Sequence, residues 1–166
     1  RLDAEADHLH SFEEHLFFGF YSILITSYIL SRFILAYFKK GVVYDETYQP
    51  SISFVVPAKN EEDNIAETIR RFGIVEYPQE KIEVIIIDDG STDGTLAQMK
   101  VAAADIAPRV ASVQVVEWKV NRGKRHGMAE GAKLAKNDIV IFVDSDSFIE
   151  PDCVKHLTKY FVDPKI

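Results

Sequence analysis

The sequence has 166 residues, enough for one domain with a sizeable buried core, or for one domain and an appendage. Its composition, 47% hydrophobic and 27% charged, excludes a disordered chain. The 19 basic and 26 acidic residues give a net charge of −7, which argues against a nucleic-acid partner. The single cysteine excludes an internal disulfide and a zinc site built from several thiolates.

The amino-terminal part divides into an acidic segment and an apolar one. Residues 1–15 hold five acidic residues and one arginine, and they predict a solvated segment outside the cytoplasm. Residues 16–38 have Arg32 as their only formal charge, and as a helix they would span about 34 Å. Two lysines follow, and the basic end of a membrane helix usually faces the cytoplasm. We therefore predict a transmembrane helix over 16–40; a buried core helix and a signal peptide are the alternatives.

Short apolar strands alternate with helices from Ser51 onward, after a predicted linker over 41–50. The predicted strands are 52–56, 82–87, 111–117 and 138–143, and the predicted helices are 61–72, 94–106, 125–136 and 151–162. The strands are rich in Val and Ile without a polar face, as is typical of a parallel sheet that is covered on both sides. Residues 51–166 therefore predict an α/β fold. The sequence starts without Met and stops abruptly, so we expect it to be part of a longer protein.

Each predicted strand is followed by a polar cluster. The clusters are PAKNEE at 57–62, DDGSTDG at 88–94, NRGKR at 121–125 and DSD at 144–146. Ligands of an open parallel sheet bind beyond the carboxyl ends of its strands. The four clusters should therefore converge on one site at one edge of the sheet.

The acidic clusters predict oxygen ligands. Asp144 and Asp146 follow a buried strand, and two carboxylates so close together suit a divalent cation such as Mg²⁺ or Mn²⁺. A helix-capping turn is the alternative. Asp88 or Asp89 could hydrogen-bond a nucleobase or ribose, or could simply belong to a glycine turn.

The third cluster predicts a phosphate-binding turn. Gly123, Lys124 and Arg125 combine a glycine, two cations and a helix amino terminus, which together suit a diphosphate. A solvated basic turn is the alternative. The spacing is not that of a P-loop, because Trp118 stands where that motif has its first glycine.

The order PAKNEE, DDGSTDGT, NRGKRHGMAEG and VDSDSFIEPD resembles the family 2 glycosyltransferases, and in detail the hyaluronan synthases and the nodulation-type chitooligosaccharide synthases. The resemblance covers residues 51–166. It implies a GT-A type, Rossmann-like, mostly parallel sheet with helices on both faces. It also implies that this part is the nucleotide-sugar-binding half of a glycosyltransferase domain.

The resemblance also implies roles for individual residues. Pro57, Ala58 and Glu61 would line the uridine pocket. Asp89, with Asp88 beside it, would hold the uracil or ribose. Lys124 and Arg125 would contact the diphosphate. Asp144 and Asp146 would bind Mg²⁺ or Mn²⁺, and Asp144 would also contact the UDP moiety.

The activity implied is that of a membrane-bound, inverting, processive β-glycosyltransferase. It would use UDP-GlcNAc, with or without UDP-glucuronate, to extend a hyaluronan- or chitin-like polysaccharide. The full-length protein would cross the plasma membrane several times, in contact with membrane lipid, with its catalytic domain in the cytoplasm. The general base is expected downstream of Ile166. Two alternatives stay open: a non-processive family 2 transferase acting on a lipid or other acceptor, and a non-catalytic Mg²⁺-binding regulatory module.

Overall fold

The computed structural model describes residues 2–38 and 43–162, with side chains from His15 onward. The chain forms two units, which are described separately: one that precedes Val43 and one that begins there. The predicted basic pair at 39–40, the first two residues of the predicted linker and the last four residues of the sequence lie outside the described residues.

The first unit is a helix, α1, from Leu2 to Tyr37. It includes the acidic segment as well as the apolar one, because no glycine or proline interrupts the chain before Gly19 and acidic residues favour the amino end of a helix. His15–Tyr37 is a stretch of 23 residues, long and apolar enough to cross a membrane, and none of it is buried in protein. The predicted helix is therefore present, and its length and composition suit a membrane span.

Arg32, the only charged residue of the apolar stretch, has a partner on its own helix. Its Nη2 and Nε atoms lie 3.2 and 3.4 Å from the hydroxyl oxygen of Tyr28, one turn earlier. The guanidinium carbon also lies 5.2 Å from the centre of the Tyr28 ring. Such a partner lowers the cost of placing an arginine in an apolar environment.

The second unit alternates strands and helices as predicted. Its strands are β1 (Ile52–Ala58), β2 (Ile82–Asp89), β3 (Ser112–Trp118) and β4 (Ile139–Phe142), and its helices are α2 (Ile65–Phe72), α3 (Thr95–Ile106), α4 (Lys124–Leu134) and α5 (Cys153–Thr158). A 3₁₀ turn, Gln79–Lys81, precedes β2. The strands form a parallel sheet in the order β3-β2-β1-β4.

Helices cover both faces of the sheet. On one face α2, α3 and α5 pack on side chains such as Phe54, whose ring stacks on Phe72 of α2 at 4.4 Å between centroids. On the other face Leu134 of α4 packs with Val55, Ile85 and neighbouring strand residues. The central strands β1 and β2 are buried along their whole length, which accounts for their nearly continuous apolar runs, and the predicted α/β class is confirmed.

Helices α2 and α5 are shorter than predicted by a turn or more, whereas α3 and α4 are each shorter by a single residue. Helix α2 begins at Ile65 rather than at 61, because Asn60 adopts a left-handed conformation (φ 54°) and the Glu61 N–H donates to the Thr95 hydroxyl at 2.7 Å. Helix α5 runs over 153–158 instead of 151–162, with turns on both sides.

The predicted linker is attached to the α/β unit over its described part, 43–50. The Asp45 N–H donates to the carbonyl of Lys159 at 3.0 Å. The Tyr77 hydroxyl donates to the carbonyl of Pro50 at 2.6 Å. These contacts make residues 43–50 part of the folded domain rather than a free spacer.

A buried carboxylate ties the strands to α4 at the amino edge of the sheet. Glu83 of β2 is 6% exposed. Its Oε2 atom accepts hydrogen bonds from the Ser53 hydroxyl at 2.6 Å and the Lys136 N–H at 2.8 Å. Asn137 donates to the carbonyl of Ile52 at 2.9 Å. This network fixes the carboxyl end of α4 against β1 and β2.

Candidate functional site

A cavity of about 420 Å³ opens at the carboxyl edge of the sheet. Its walls come from the ends of all four strands: Pro57, Ala58, Lys59, Glu61, Asp89, Asn121, Gly123, Lys124, Asp144, Ser145 and Asp146. Seven of the predicted site residues are among them. The four polar clusters therefore converge, because parallel strands in register bring their carboxyl ends to one edge.

The end of β1 contributes one wall and is held by a loop that follows β2. The Asn60 N–H donates to the Ser91 hydroxyl at 3.1 Å, and the Asn60 amide oxygen accepts from the Thr92 N–H at 2.9 Å. The Glu61 N–H donates to Thr95, which is fully buried. Glu61 is therefore placed at the cavity by contacts with residues more than thirty positions away.

Further contacts within the loop after β2 support this arrangement. The Thr95 hydroxyl donates to Asp93 at 2.5 Å, and this bond holds the pKa of Asp93 below its usual range. The Gly94 N–H donates to the Glu62 carboxylate at 2.7 Å. The two loops are thus joined by reciprocal bonds, which fix the backbone around Glu61.

The two aspartates at the end of β2 have different environments. Asp88 is 2% exposed, does not line the cavity, and accepts a hydrogen bond from the Ser91 N–H at 3.3 Å. Asp89 is 4% exposed but lines the cavity. Side chains alternate along a strand, so adjacent residues cannot share one direction. Of the two, only Asp89 borders the cavity.

Asp89 is bonded to the loop that follows β3. Its Oδ1 atom accepts from the Arg122 N–H at 2.6 Å, and its Oδ2 atom accepts from the Gly123 N–H at 2.8 Å. Gly90 has φ +70°, and a Cβ atom there would lie 2.8 Å from the backbone nitrogen of Asn121. The end of β2 and the loop after β3 are therefore packed backbone to backbone.

Helix α4 brings a lysine to the cavity from its first residue. Lys124 Nζ lies 2.5 Å from Oδ1 of Asp144, the residue that follows the last strand by two positions. Arg125, the next residue of α4, is exposed and does not line the cavity. Successive residues of a helix project about 100° apart, which separates the two cations.

The charges of the lining favour a ligand that brings a cation with it. Lys59 and Lys124 stand against the four carboxylates of Glu61, Asp89, Asp144 and Asp146, a net of −2. A diphosphate alone would be repelled by such a site. A divalent cation would neutralise the carboxylates, and the lysines would then face the phosphates.

Asp144 and Asp146 fit a divalent cation that the substrate helps to hold. Both residues line the cavity, and hard cations such as Mg²⁺ bind through one or two carboxylates together with substrate phosphates. Within residues 2–38 and 43–162 no three His, Cys, Asp or Glu side chains cluster as a complete metal cage. The donor set therefore suits a shared cation rather than a resident structural one.

Three lining residues had no predicted role: Lys59, Asn121 and Ser145. The sequence did indicate them as candidates, because each belongs to one of the polar clusters that follow the strands. The bonds between loops, such as Asn60 to Thr92, had no sequence signal, because they join residues that only the fold brings together.

Residues 53–166 match the family described as Glycosyl transferase family 2. Among curated relatives, the poly-beta-1,6-N-acetyl-D-glucosamine synthase of Staphylococcus aureus (strain MSSA476) is 28% identical over 162 residues, which is 90% of this chain and 37% of that protein. The hyaluronan synthase of Streptococcus pyogenes is 27% identical over 153 residues, which is 89% of this chain and 35% of that protein. The chain thus spans little more than a third of these relatives.

Solved structures show the same fold. The mannosyltransferase PcManGT from Pyrobaculum calidifontis, in complex with GDP-Man and Mn²⁺, overlaps with a TM-score of 0.71 and 29% identity, covering 86% of this chain and 41% of that one. S. aureus TarS 1-349 in complex with UDP overlaps with a TM-score of 0.57 and 28% identity, covering 64% of this chain and 30% of that one. The predicted GT-A type fold is confirmed by these neighbours.

Proposed function

Because this chain belongs to glycosyl transferase family 2, we propose that it holds the donor site of a membrane-bound, inverting, processive β-glycosyltransferase that builds a polysaccharide from UDP-sugars. The predicted enzyme class, a hexosyltransferase, is confirmed by the family match and by the relatives. The relatives are also polysaccharide synthases by name. The family match disfavours the non-catalytic regulatory module.

One observation gives the main support for the proposed donor site: Lys124, Asp144 and Asp146 line the same cavity. Two carboxylates, a lysine and a helix amino terminus form a combination that suits a metal-bound diphosphate. Mn²⁺ accompanies the nucleotide-sugar in the named PcManGT complex, which supports a divalent cation here. In our proposal Asp144 and Asp146 hold Mg²⁺ or Mn²⁺, and Lys124 binds the diphosphate.

The nucleoside would lie along the wall formed by Pro57, Ala58 and Glu61. Pro57 and Ala58 bring no charge to this wall, which suits a base or ribose, and Glu61 provides a hydrogen-bond acceptor. Asp88 and Arg125, which the resemblance also implied, do not line the cavity. Any role for them in binding is therefore indirect in our proposal.

The donor sugar is proposed from the relatives. By their names, the two synthases make poly-beta-1,6-N-acetyl-D-glucosamine and hyaluronan, and TarS has been solved with UDP-GlcNAc. We therefore expect UDP-GlcNAc as a donor, with UDP-glucuronate as a second donor if the product is hyaluronan-like. The GDP-Man complex of PcManGT makes GDP-mannose the competitor that must be tested.

In the reaction, an acceptor hydroxyl attacks the anomeric carbon and UDP departs with the bonding electron pair. The cation held at Asp144 and Asp146 would supply charge stabilisation for the leaving diphosphate. Lys124 would add a second positive charge on the same group. The general base is proposed to lie beyond Ile166, as is the acceptor site for the growing chain.

Helix α1 supports the membrane part of the proposal. Its apolar stretch His15–Tyr37 has the length of a bilayer span, and Arg32 is accommodated by Tyr28. We propose that α1 anchors the protein in the plasma membrane with the α/β domain in the cytoplasm, and that the full-length protein crosses the membrane several times.

The proposal is tested by calorimetric titration of the full-length protein in detergent with UDP, UDP-GlcNAc, UDP-glucuronate and GDP-mannose, each with and without Mn²⁺. Binding of UDP and UDP-GlcNAc that requires Mn²⁺ is the expected result. Additional binding of UDP-glucuronate would indicate a hyaluronan-type copolymerase. Preference for GDP-mannose, or no binding of any uridine nucleotide, would overturn the proposed donor.

Processivity needs a separate measurement. A processive enzyme forms long chains early, while much acceptor is still unextended, whereas a non-processive one adds single sugars to all acceptors. Sizing of radiolabelled product at low conversion distinguishes the two, and single additions would favour a transferase that acts on a lipid or other acceptor.

A further inference from the structure

We propose that Asp89 is a positioning residue that holds the loop after β3, and thereby Lys124, in place at the donor cavity. The inference rests on the proposed function and deepens it. It differs from the role implied by the resemblance, in which this aspartate holds the uracil or ribose directly.

The contacts of Asp89 are directed at the loop. Each carboxylate oxygen accepts one backbone N–H, from Arg122 at 2.6 Å and from Gly123 at 2.8 Å. The residue is only 4% exposed, so these bonds are shielded from water. Hydrogen bonds from N–H groups to an ionised carboxylate are about twice as strong as those between neutral groups.

The position of the bonds makes them relevant to Lys124. Gly123 has φ +92°, a left-handed conformation, and it is the residue from which α4 starts. Lys124, the first residue of α4, is covalently next to the N–H that Asp89 accepts. A shift of this loop would therefore move the lysine ammonium relative to Asp144 and to the phosphates that it would bind.

The other contacts of the loop are either local or made by a side chain. The Gly123 N–H also reaches the Asn121 amide oxygen at 2.9 Å, but this bond is local and moves with the loop. The Arg122 side chain stacks over Trp118, with the guanidinium carbon 4.7 Å from the ring centre. Asp89 is the carboxylate that links the loop to the interior of the sheet.

The two roles predict different ligand selectivity. If Asp89 contacts the base or ribose, its loss weakens binding of uridine and UDP by the same factor. If it positions Lys124, its loss weakens binding of UDP, which has a diphosphate, but leaves the affinity for uridine nearly unchanged.

The test compares wild type, Asp89→Asn and Asp105→Asn as full chains in detergent. Asn keeps the shape of Asp89 but replaces one acceptor oxygen by a donor NH₂ group, which opposes a loop N–H. Asp105 is a matched control, because it pairs with Arg70 at 2.9 Å on the surface of α3 and does not line the cavity. Dissociation constants for UDP with Mn²⁺ and for uridine are measured by titration.

We expect Asp89→Asn to weaken UDP binding at least tenfold, to change uridine binding less than twofold, and Asp105→Asn to change neither. Equal losses for uridine and UDP would overturn the proposal in favour of direct contact. Unchanged UDP binding would overturn it as well.

Two readouts do not depend on nucleotide binding. Trp118, the only tryptophan of the sequence, reports on the loop through its contact with Arg122, so acrylamide quenching of its fluorescence should increase in Asp89→Asn. In the wild type, hydrogen exchange should show the Arg122 and Gly123 amides protected, a measurement that needs no variant to fold. Absence of this protection would overturn the proposal.

If uridine nucleotides do not bind the wild type, the donor proposal fails. The fluorescence and hydrogen-exchange readouts still decide whether Asp89 holds the loop.

Discussion

The ammonium of Lys124 lies 2.5 Å from Oδ1 of Asp144, so the residue proposed for the diphosphate pairs directly with a residue proposed for the cation. Both side chains are more than half exposed, at 57% and 59%. Pairs this exposed contribute about 0–1 kcal/mol, so the pair can separate at little cost when a cation and a diphosphate bind together. Lys124 and a bound cation thus compete for the same carboxylate.

This competition predicts opposite effects of Lys124→Gln on two ligands. Affinity for Mn²⁺ alone should rise about three- to fivefold, because a competing positive charge is removed and the pair is worth no more than about 1 kcal/mol. Affinity for UDP in the presence of Mn²⁺ should fall at least tenfold, because the diphosphate loses its contact with the lysine ammonium. The affinity for Mn²⁺ is measured by electron paramagnetic resonance of the free ion, and the affinity for UDP by calorimetry.

Lys133→Gln is the matched control for that experiment. Lys133 belongs to the same helix and is 76% exposed, with Glu130 4.0 Å away. The Lys133→Gln substitution should change neither the affinity for Mn²⁺ nor the affinity for UDP. Unaltered Mn²⁺ binding in Lys124→Gln would show that the pair does not compete with the cation.

Substitution of Asp146 tests the metal role. Asp146→Asn removes a charged ligand, so the Mn²⁺-dependent part of UDP affinity should decrease more than tenfold, while binding without metal stays unchanged. Asp152→Asn serves as the control, since Asp152 is exposed, pairs with His156 at 3.1 Å and does not line the cavity. Titration with and without Mn²⁺ measures both. Retention of full Mn²⁺ dependence in Asp146→Asn would remove this residue from the cation site.

The buried Glu83 network should matter for stability. Glu83→Leu leaves the Ser53 hydroxyl and the Lys136 N–H without their acceptor, and we expect the free energy of unfolding to fall by about 2–4 kcal/mol. Urea unfolding followed by Trp118 fluorescence provides the measurement. Glu130→Gln, which alters a half-exposed carboxylate of α4, should cost less than about 0.5 kcal/mol. Similar midpoints for the two variants would contradict the structural role of Glu83.

The membrane role of α1 predicts a topology. Protease added to intact cells should cleave a tag placed before Leu16. It should cleave a tag in the α/β domain only after the membrane has been permeabilised. Replacing two exposed apolar residues, Ile23 and Leu24, by Asp should prevent stable membrane insertion, since each charge near the centre of a span costs about 2.5–3.5 kcal/mol. A cytoplasmic tag before Leu16 would refute the orientation.

The alternation of elements and the convergence of the polar clusters on one cavity could be predicted from the sequence. Mostly apolar runs such as IEVIII predict strands of a parallel sheet that is covered on both faces, and this run forms the buried strand β2. The polar clusters after them then share one edge by the geometry of parallel strands. The boundaries of helices were less predictable: α2 starts at Ile65 because Thr95, thirty residues away, takes the N–H of Glu61.

The order of strands and helices, the apolar helix at the amino end and the group of residues from which the cavity lining is drawn can therefore be derived from the sequence alone. These follow from local hydrophobic patterns and need no partner. In two of the four clusters it took the folded structure to show which of two neighbours lines the cavity: Asp89 rather than Asp88, and Lys124 rather than Arg125. Adjacent side chains of a strand or a helix point in different directions, and which of them faces the cavity depends on packing between segments distant in sequence.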